Sequence, residues 1–315
     1  MHRFILLNWQ PFTAMLKIAF HSLYAHPLPA GHRFPMEKYE LIPAQLLHED
    51  IITQDNLFAP HPADEATILL THDADYWQRM KNLQLTEKEI RAIGFPLSAK
   101  LVEREIRICQ GTIDCAMYAL QYGAALNVAG GTHHAFANKG EGFCLLNDFA
   151  VAANYLLQQK MVRKILIVDL DVHQGNGTAA LFAGRDDVFT FSMHGQHNYP
   201  FHKEKSHLDI GLQDGTTGSE YLAILNDTLP RLIDTVRPDV VFYLCGVDVL
   251  ATDKFGKLKL TMDECAERDL VVYTLCKKHG IPVAAAMGGG YSPKVKHIVN
   301  AHCNTFRIAK DVYGL

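Results

Sequence analysis

Residues 165–178 read ILIVDLDVHQGNGT, a run of aliphatic residues that passes at Asp169 into a polar segment with two glycines. A short apolar run bounded by turn signals is typical of a strand that is buried on both faces of a parallel sheet. The stretch therefore predicts a buried strand over residues 165–170. It also predicts that polar side chains follow at the edge of the sheet where this strand ends.

Similar short apolar runs predict four more strands, over residues 125–129, 188–192, 240–244 and 281–287. Longer segments around them predict helices over residues 98–121, 148–159, 218–236, 262–279 and 293–311. Strands that alternate with helices form βαβ units with right-handed crossovers. We therefore expect one α/β domain with a single open, doubly wound parallel sheet and helices on both faces.

The composition excludes several classes of protein. Hydrophobic residues make up 48% of the 315 residues and charged residues 20%, a balance that disordered chains do not show. The net charge is −4 and no run of five like charges occurs, so direct nucleic-acid binding and a membrane-surface face are not expected. No apolar run approaches the roughly 18 residues of a membrane-spanning helix.

Cysteine usage and the first residues indicate the cellular setting. The seven cysteines are an odd number and form no Cys-x-x-Cys motif, which favours reduced thiols and a cytoplasmic protein. The apolar stretch 4–7 is too short for a signal peptide. Because Met15 offers a second start just before the strand-like residues 18–21, residues 1–14 are interpreted as a leader of little consequence.

Four polar, glycine-containing segments each follow a predicted strand, at residues 130–135, 169–178, 246–248 and 288–291. In open parallel sheets, ligands bind in the crevice outside the carboxyl ends of the strands. Glycine lets the backbone turn sharply and approach a ligand closely. We therefore expect the four segments to converge on one crevice.

Asp171 and His173 carry a metal-binding pattern. They are two residues apart, so on extended backbone their side chains point to the same side. Asp248, after a neighbouring strand, would supply a third ligand. Three N and O ligands with one open position describe a catalytic zinc site, whereas Asp-x-Asp-x-His by itself also fits a solvated turn.

The other two segments are weak signals when each is taken singly. The tandem pair His133-His134 is more often structural or exposed than catalytic. Residues 288–291, Gly-Gly-Gly-Tyr, also fit a glycine-rich turn before a helix, whose start near Pro293 could bind an anion. The order of all four segments and their placement at strand ends indicate an active site.

These motifs together resemble the histone deacetylase family, and most closely its class IV members and their bacterial relatives. The resemblance extends over about residues 18–310 and rests on residues 32–39 (HRFPMEKY), 130–134, 142–148 (GFCLLND), 169–177, 197–200 (HNYP), 246–248 and 288–291. It implies the arginase-deacetylase fold, with residues 15–315 as the catalytic domain. It also implies a zinc-dependent hydrolase that removes acyl groups, acetyl or longer, from amines.

The resemblance implies two metal sites. Asp171, His173 and Asp248 would hold a zinc ion, and the same donors would also accept ferrous iron. A structural K+ or Na+ ion would be held by the side chains of Asp169 and Ser192 and the carbonyl groups of Asp171, His173 and Met193.

The resemblance also implies roles for the catalytic groups. His134 would act as general base and then as the acid that protonates the leaving amine. Its partner is Asn176, where class I enzymes have an aspartate. His133 would hydrogen-bond Asp169 and act mainly through its charge. Tyr291 would donate its hydroxyl to the tetrahedral oxyanion.

By the same resemblance, Gly142, Phe143 and Tyr199 would line the channel that admits an alkyl-ammonium stem. The alternative for both aromatic residues is a place in the core. Around residues 94–96 the chain has no aspartate that matches the class I residue holding the substrate backbone. The sequence therefore leaves open how, and whether, a peptide backbone is held.

The expected substrates are acyl-lysine peptides or proteins, and acetylated polyamines are the alternative within the same chemistry. A binuclear manganese hydrolase such as arginase is disfavoured because Asp248 is followed by Val249 and Leu250 and not by a second acid. A catalytically silent metal-binding scaffold would lack a ligand or the oxyanion donor, and this chain has all of them. A nucleotide-binding protein is disfavoured because no Gly-x-Gly-x-x-Gly follows the first strand and no Walker motif occurs.

Overall fold

The computed structural model describes residues 15–315, which form one eight-stranded sheet. In chain order its strands are β1 (Lys17–Ala19), β2 (Leu57–Phe58), β3 (Ala124–Asn127), β4 (Ile165–Asp169), β5 (Val188–Gly195), β6 (Leu208–Leu212), β7 (Val240–Leu244) and β8 (Val283–Ala286). They lie in the order β2-β1-β3-β8-β7-β4-β5-β6, and every neighbouring pair is parallel. The predicted single parallel sheet is confirmed. The predicted leader, residues 1–14, lies outside the described residues.

Ten α-helices accompany the sheet within residues 15–315: α1 (Lys38–His48), α2 (Glu65–Ile68), α3 (Ala74–Lys81), α4 (Glu87–Ile93), α5 (Ala99–Tyr122), α6 (Asp148–Gln158), α7 (Asn176–Leu181), α8 (Gly218–Val236), α9 (Met262–Lys278) and α10 (Val295–Tyr313). Helix α5 packs against α6 and β3, whereas α8, α9, α10 and α1 pack in series. The sheet thus has helices on both faces, and the doubly wound α/β architecture is confirmed. None of the described helices is long and apolar enough to cross a membrane.

The central strands are buried on both faces, as their predominantly apolar sequences predict. Every residue of β3, β4, β7 and β8 is buried. Full burial of a Val, Leu or Ile side chain contributes about 1.5–3 kcal/mol to folding. These strands therefore form a core whose stability does not depend on a bound metal.

The predicted elements are present, with shifts at their ends. Strand β5 continues to Gly195, beyond its predicted end at residue 192. Helix α10 begins at Val295 and not at residue 293, because Lys294 keeps an extended conformation with φ −101° and ψ 110°. The sequence patterns do not predict β2, β6, α1–α4 or α7. Strand β2 has two residues and β6 is mostly half-buried, so neither carries a continuous apolar run.

Four neighbouring strands at the centre of the sheet, β3, β8, β7 and β4, lead into the four polar segments. Because the strands are parallel, all four carboxyl ends lie at one edge of the sheet. The strand order therefore brings together segments that are far apart in the chain.

Candidate active site

The polar segments meet around one cavity at the carboxyl edge of the sheet. Residues from three of them line it, namely His133, His134, Asp171, His173, Gly288, Gly289 and Tyr291. Asp248, from the fourth segment, lies against Asp171 and His173. The predicted convergence of the four strand ends is confirmed.

Asp171, His173 and Asp248 each direct one ligand atom to the same point, and these atoms lie within 4.8 Å of one another. Nδ1 of His173 is 3.0 Å from Oδ1 of Asp171 and 3.1 Å from Oδ2 of Asp248. The backbone N–H groups of Val172 and Gly289 donate to Asp248 and Asp171 at 3.0 and 2.8 Å. Both carboxylates are therefore buried and fixed in orientation.

This donor set fits a divalent cation. Burial and the charge of Asp171 raise the pKa of Asp248, because two adjacent carboxylates repel each other when both are ionised. Burial lowers the pKa of His173, but its hydrogen bonds to the two carboxylates outweigh burial and raise that pKa. Two acids and an imidazole are the N and O ligands that zinc and ferrous iron take in catalytic sites.

Two glycines provide the space that these carboxylates occupy. A Cβ atom at Gly289 would collide with Oδ2 of Asp248, and one at Gly246 would collide with Oδ2 of Asp171. A side chain at either position would therefore displace a ligand. Both glycines belong to segments that the sequence places at strand ends.

The two adjacent histidines have different partners. His133 Nδ1 lies 2.8 Å from Oδ2 of Asp169, and His134 Nδ1 lies 2.7 Å from Oδ1 of Asn176. Burial lowers the pKa of His133, but the charge of Asp169 outweighs burial and raises that pKa. Burial and the charges of His133 and His173 hold the pKa of His134 well below its usual range. Asp169 thus favours the charged form of His133, whereas the surroundings of His134 favour its neutral form.

Glu141 completes a hydrogen-bond chain that sequence reasoning missed. Its Oε1 accepts hydrogen bonds from Asn176 Nδ2 and from the Tyr199 hydroxyl, both at 2.8 Å. Because the amide nitrogen of Asn176 donates to Glu141, its Oδ1 faces His134 and accepts the proton on Nδ1. Nε2 of His134 is then free to accept a proton. Only the position of Glu141 beside the Gly142-Phe143 motif could have indicated it.

Glu141 is ionised in this arrangement. Burial raises its pKa, but hydrogen bonds from Asn176, Tyr199 and Lys139 outweigh burial and lower that pKa below the usual range. The side chain of Glu141 is 16% exposed, and Lys139 Nζ lies 3.1 Å from its Oε2. The Glu141 carboxylate is therefore connected to His134 through the side chain of Asn176, which lies between them.

Tyr291 lines the same cavity as His134, and its ring centroid lies 6.5 Å from that of His173. Burial and the charges of Asp248 and Asp171 raise the pKa of Tyr291 well above its usual range. Its hydroxyl is therefore protonated and can donate a hydrogen bond. The backbone of Tyr291 is held by Asp253, a residue that sequence reasoning did not single out.

Gly142, Phe143 and Tyr199 line an outer cavity of about 520 Å³ that leads to the metal-binding cluster. The Tyr199 ring lies edge-on to His134 at 5.0 Å, and the Phe143 ring is 6.1 Å from Tyr291. Gly142 has φ +57°, and a Cβ atom there would lie 2.7 Å from Cδ2 of His134. Both aromatic residues are half-buried and line this cavity, and their role in admitting a substrate stem stays a prediction.

The side chains predicted to hold a monovalent cation lie on two paired strands. Asp169 on β4 and Ser192 on β5 are register partners, and Met193 follows Ser192 in the buried part of β5. Oδ1 of Asp169 accepts the backbone N–H of Asp171 at 3.2 Å. The side chains of Asp169 and Ser192 are thus neighbours, and the cation itself stays a prediction.

Lys38 places an unexpected positive charge next to the glycine-rich segment. Its side chain is fully buried, and Nζ donates to the carbonyl oxygen of Gly288 at 2.9 Å. Burial lowers the pKa of Lys38 to about 8, against the charges of Asp248 and Asp171, which favour its protonated form. Lys38 therefore fixes the start of the segment that carries Tyr291.

Comparisons with known proteins show which family the chain is similar to. A family model described as "Histone deacetylase domain" matches residues 32–306. An uncharacterized protein of Picosynechococcus sp. is 43% identical over 296 residues, which are 94% of this chain and 99% of that protein. Histone deacetylase 2 of Arabidopsis thaliana is 27% identical over 278 residues, covering 85% of this chain and 72% of its own length.

Solved structures show the same fold. A histone deacetylase homolog from Aquifex aeolicus has a TM-score of 0.80 at 24% sequence identity, over 95% of this chain and 84% of its own. The resemblance seen in the sequence motifs is therefore confirmed over most of the chain. Because the family model spans nearly all of the described residues, the chain belongs to the histone deacetylase family.

Proposed function

We propose that this protein is a metal-dependent hydrolase that removes acyl groups, acetyl or longer, from lysine side chains. Its family supports hydrolysis of this kind of amide. The observation that carries the proposal is the cluster of Asp171, His173 and Asp248, with ligand atoms within 4.8 Å, beside the neutral His134. A cation-binding cluster next to a general base is what amide hydrolysis by an activated water requires.

A zinc or ferrous ion at these three residues would polarise the amide carbonyl and lower the pKa of the attacking water. His134 would accept the proton of that water at Nε2, since its Nδ1 is committed to Asn176. The same nitrogen would then deliver the proton to the leaving lysine amine. This cycle needs a histidine that is neutral before reaction, and the low pKa of His134 supplies one.

Tyr291 and His133 would stabilise the negative charge that develops during attack. The protonated hydroxyl of Tyr291 would donate to the carbonyl oxygen as it becomes an oxyanion. Asp169 would favour a positive charge on His133, whose ring centroid lies 4.1 Å from that of His134. This charge also opposes premature protonation of His134.

Two further expectations belong to the proposal. A K+ or Na+ ion beside Asp169 and Ser192 would weaken the effect of the Asp169 charge on His133. We also propose a cytoplasmic location, which the seven free, buried cysteines support because reduced thiols persist in a reducing compartment.

Acetylated polyamines are the alternative substrates, because they offer the same amide bond on an alkyl stem. One panel tests both. The metal-loaded protein is incubated with acetyl-lysine peptides, longer-chain acyl-lysine peptides and N-acetylpolyamines, and the products are measured by mass spectrometry. We expect turnover of acyl-lysine peptides that is lost on chelation and restored by zinc or ferrous iron. Turnover of polyamines alone would favour the alternative, and no turnover of any substrate would favour a silent scaffold.

A further inference from the structure

The mouth of the outer cavity is lined by positive charges. Its charged lining residues are Arg33, Lys254 and Lys257, and no carboxylate lies among the lining side chains. All three basic residues are exposed. A channel entrance with a single sign of charge selects what enters by its charge.

Arg33 is held in place beside the channel. Its guanidinium carbon lies 5.0 Å from the ring centroid of Phe143, a channel wall, and 5.6 Å from that of Phe255. The Phe255 ring in turn lies 5.0 Å from the ring of Tyr291. Contacts with two aromatic rings restrain the Arg33 guanidinium. Binding of an anion to Arg33 therefore costs less conformational entropy than binding to an unrestrained side chain.

Two of the three positive charges are uncompensated. Lys257 pairs with Asp214 at 3.3 Å. In residues 15–315, neither Arg33 nor Lys254 has a carboxylate oxygen within the 4.0 Å of a salt bridge. A guanidinium and an ammonium group are thus available at the mouth.

Two acids that adjoin lining residues of the mouth in the sequence, Glu141 and Asp253, have other hydrogen-bond partners. Glu141 accepts hydrogen bonds from Asn176, Tyr199 and Lys139. The carboxylate of Asp253 accepts the backbone N–H groups of residues 255, 256 and 291. Within residues 15–315, neither acid forms a salt bridge with Arg33 or Lys254.

We propose that Arg33 and Lys254 bind a carboxylate that lies next to the acylated lysine of the substrate. This inference rests on the proposed function and names its substrate class. The carboxylate is either an acidic side chain flanking the acyl-lysine or the α-carboxylate of an acyl-lysine at a peptide C-terminus. Acetylated polyamines carry further ammonium groups and are repelled by the same two residues.

The test uses short peptides with a central acyl-lysine, carrying the acyl group that the panel above shows to be removed fastest. Capped peptides flank it with Glu, with the neutral isostere Gln or with Lys. A separate pair ends at the acyl-lysine, with the C-terminus either free or amidated, and so distinguishes the two sources of the carboxylate. N-acetylspermidine is the cationic comparison.

For the zinc-loaded protein we expect kcat/KM to be about 3- to 10-fold higher for Glu-flanked or free-carboxylate peptides than for their neutral counterparts. The ratio should fall towards one between about 0.05 M and about 0.5 M NaCl, because salt screens exposed charges. Arg33→Gln combined with Lys254→Gln should bring the ratio close to one at low salt. Arg33→Glu combined with Lys254→Glu should instead favour Lys-flanked peptides.

The matched control combines Arg163→Gln with Lys278→Gln. Both residues are exposed and lie before β4 and β8, at the sheet edge opposite the site. This variant should keep the wild-type preference. Hydrolysis with no preference between Glu and Gln flanks, or a preference that survives the double substitution at the mouth, would overturn the inference while leaving the proposed function intact.

Absence of hydrolysis of every acyl-lysine peptide would instead contradict the proposed function. The mouth is then tested by calorimetric binding of the Glu- and Gln-flanked peptides to the metal-loaded protein. Tighter binding of the Glu peptide that is lost on removal of Arg33 and Lys254 supports the inference, and equal binding overturns it.

Discussion

The backbone N–H of Tyr291 donates a 2.6 Å hydrogen bond to Oδ2 of Asp253. Oδ1 of the same carboxylate accepts the N–H groups of Phe255 and Gly256, at 2.8 and 2.9 Å. One acid therefore joins the loop after β7, which carries the candidate metal ligand Asp248, to the loop after β8, which carries Tyr291. The distance between Asp248 and the Tyr291 hydroxyl therefore depends on the hydrogen bonds that Asp253 accepts.

Asp253→Asn tests that link. An asparagine has one acceptor oxygen and an NH2 group, so it cannot accept from both loops at once. We expect Tyr291 to shift and kcat to fall by about 10- to 100-fold, since small misplacements of catalytic groups cost that much. Metal content, measured by mass spectrometry, should be retained. Asp234→Asn, an exposed position on α8, is the control, and an unchanged kcat in Asp253→Asn would contradict the prediction.

Tyr291→Phe removes only the hydroxyl and keeps the ring. Loss of one oxyanion donor typically lowers turnover by about 100- to 1,000-fold. We expect a loss of that size in kcat with the metal still bound, measured on the acyl-lysine peptide that the wild type hydrolyses best. Turnover close to that of the wild type would show that another group stabilises the oxyanion.

Asp248→Ala should abolish metal binding and turnover together, since it removes one of three ligands. The chain should still fold. Its removal takes one acceptor from the backbone N–H of Val172 and one from Nδ1 of His173, whereas the raised pKa of Asp248 means that burying its ionised form already costs stability in the metal-free protein. Because these two effects oppose each other, we expect the metal-free variant to unfold cooperatively, with a Tm close to that of the metal-free wild type. Full metal occupancy in the purified variant would refute the ligand assignment.

Asn176→Asp should move the acid limb of the kcat/KM profile to higher pH. A carboxylate beside His134 favours the protonated imidazolium and so raises the pKa of His134. In the proposed mechanism only the neutral form of His134 acts as the base. The pH at which half of the activity is lost therefore rises, by about one unit, equivalent to about 1.4 kcal/mol between protonation states. An acid limb that moves to lower pH, or that stays in place even when Glu141→Gln is combined with this substitution, would show that His134 is not the base.

Glu141 should reduce the shift of the acid limb that Asn176→Asp causes. In Asn176→Asp the new carboxylate faces Glu141, which lies 2.8 Å from the present amide nitrogen, so the two acids would share one proton. We expect the combined variant Asn176→Asp with Glu141→Gln to show a larger shift of the acid limb than Asn176→Asp alone. Glu141→Gln alone serves as the control, because its amide oxygen can still accept from Asn176 and Tyr199. Equal shifts in the single and combined variants would mean that Glu141 does not act on His134 through residue 176.

The sequence by itself determined the sheet and the place of the candidate metal ligands. Apolar runs such as residues 165–168 mark strands buried on both faces, because a strand with one face in solvent alternates apolar and polar positions. Strand ends in a parallel sheet share one edge, so the polar residues that follow each run can be placed together without coordinates. Asp171, His173, Asp248 and the histidine pair were located in this way.

Only the tertiary structure decided which groups support those residues. Asn176 reaches Glu141 across 35 residues, Tyr291 reaches Asp253 across 38, and Lys38 reaches Gly288 across 250. These contacts join loops and chain segments whose residues follow no periodic pattern, so their pairing depends on how each segment leaves the sheet. The positive charge at the mouth of the outer cavity also arises from tertiary packing. Arg33 and Lys254 lie beside this cavity only because Phe143 and Phe255 pack there.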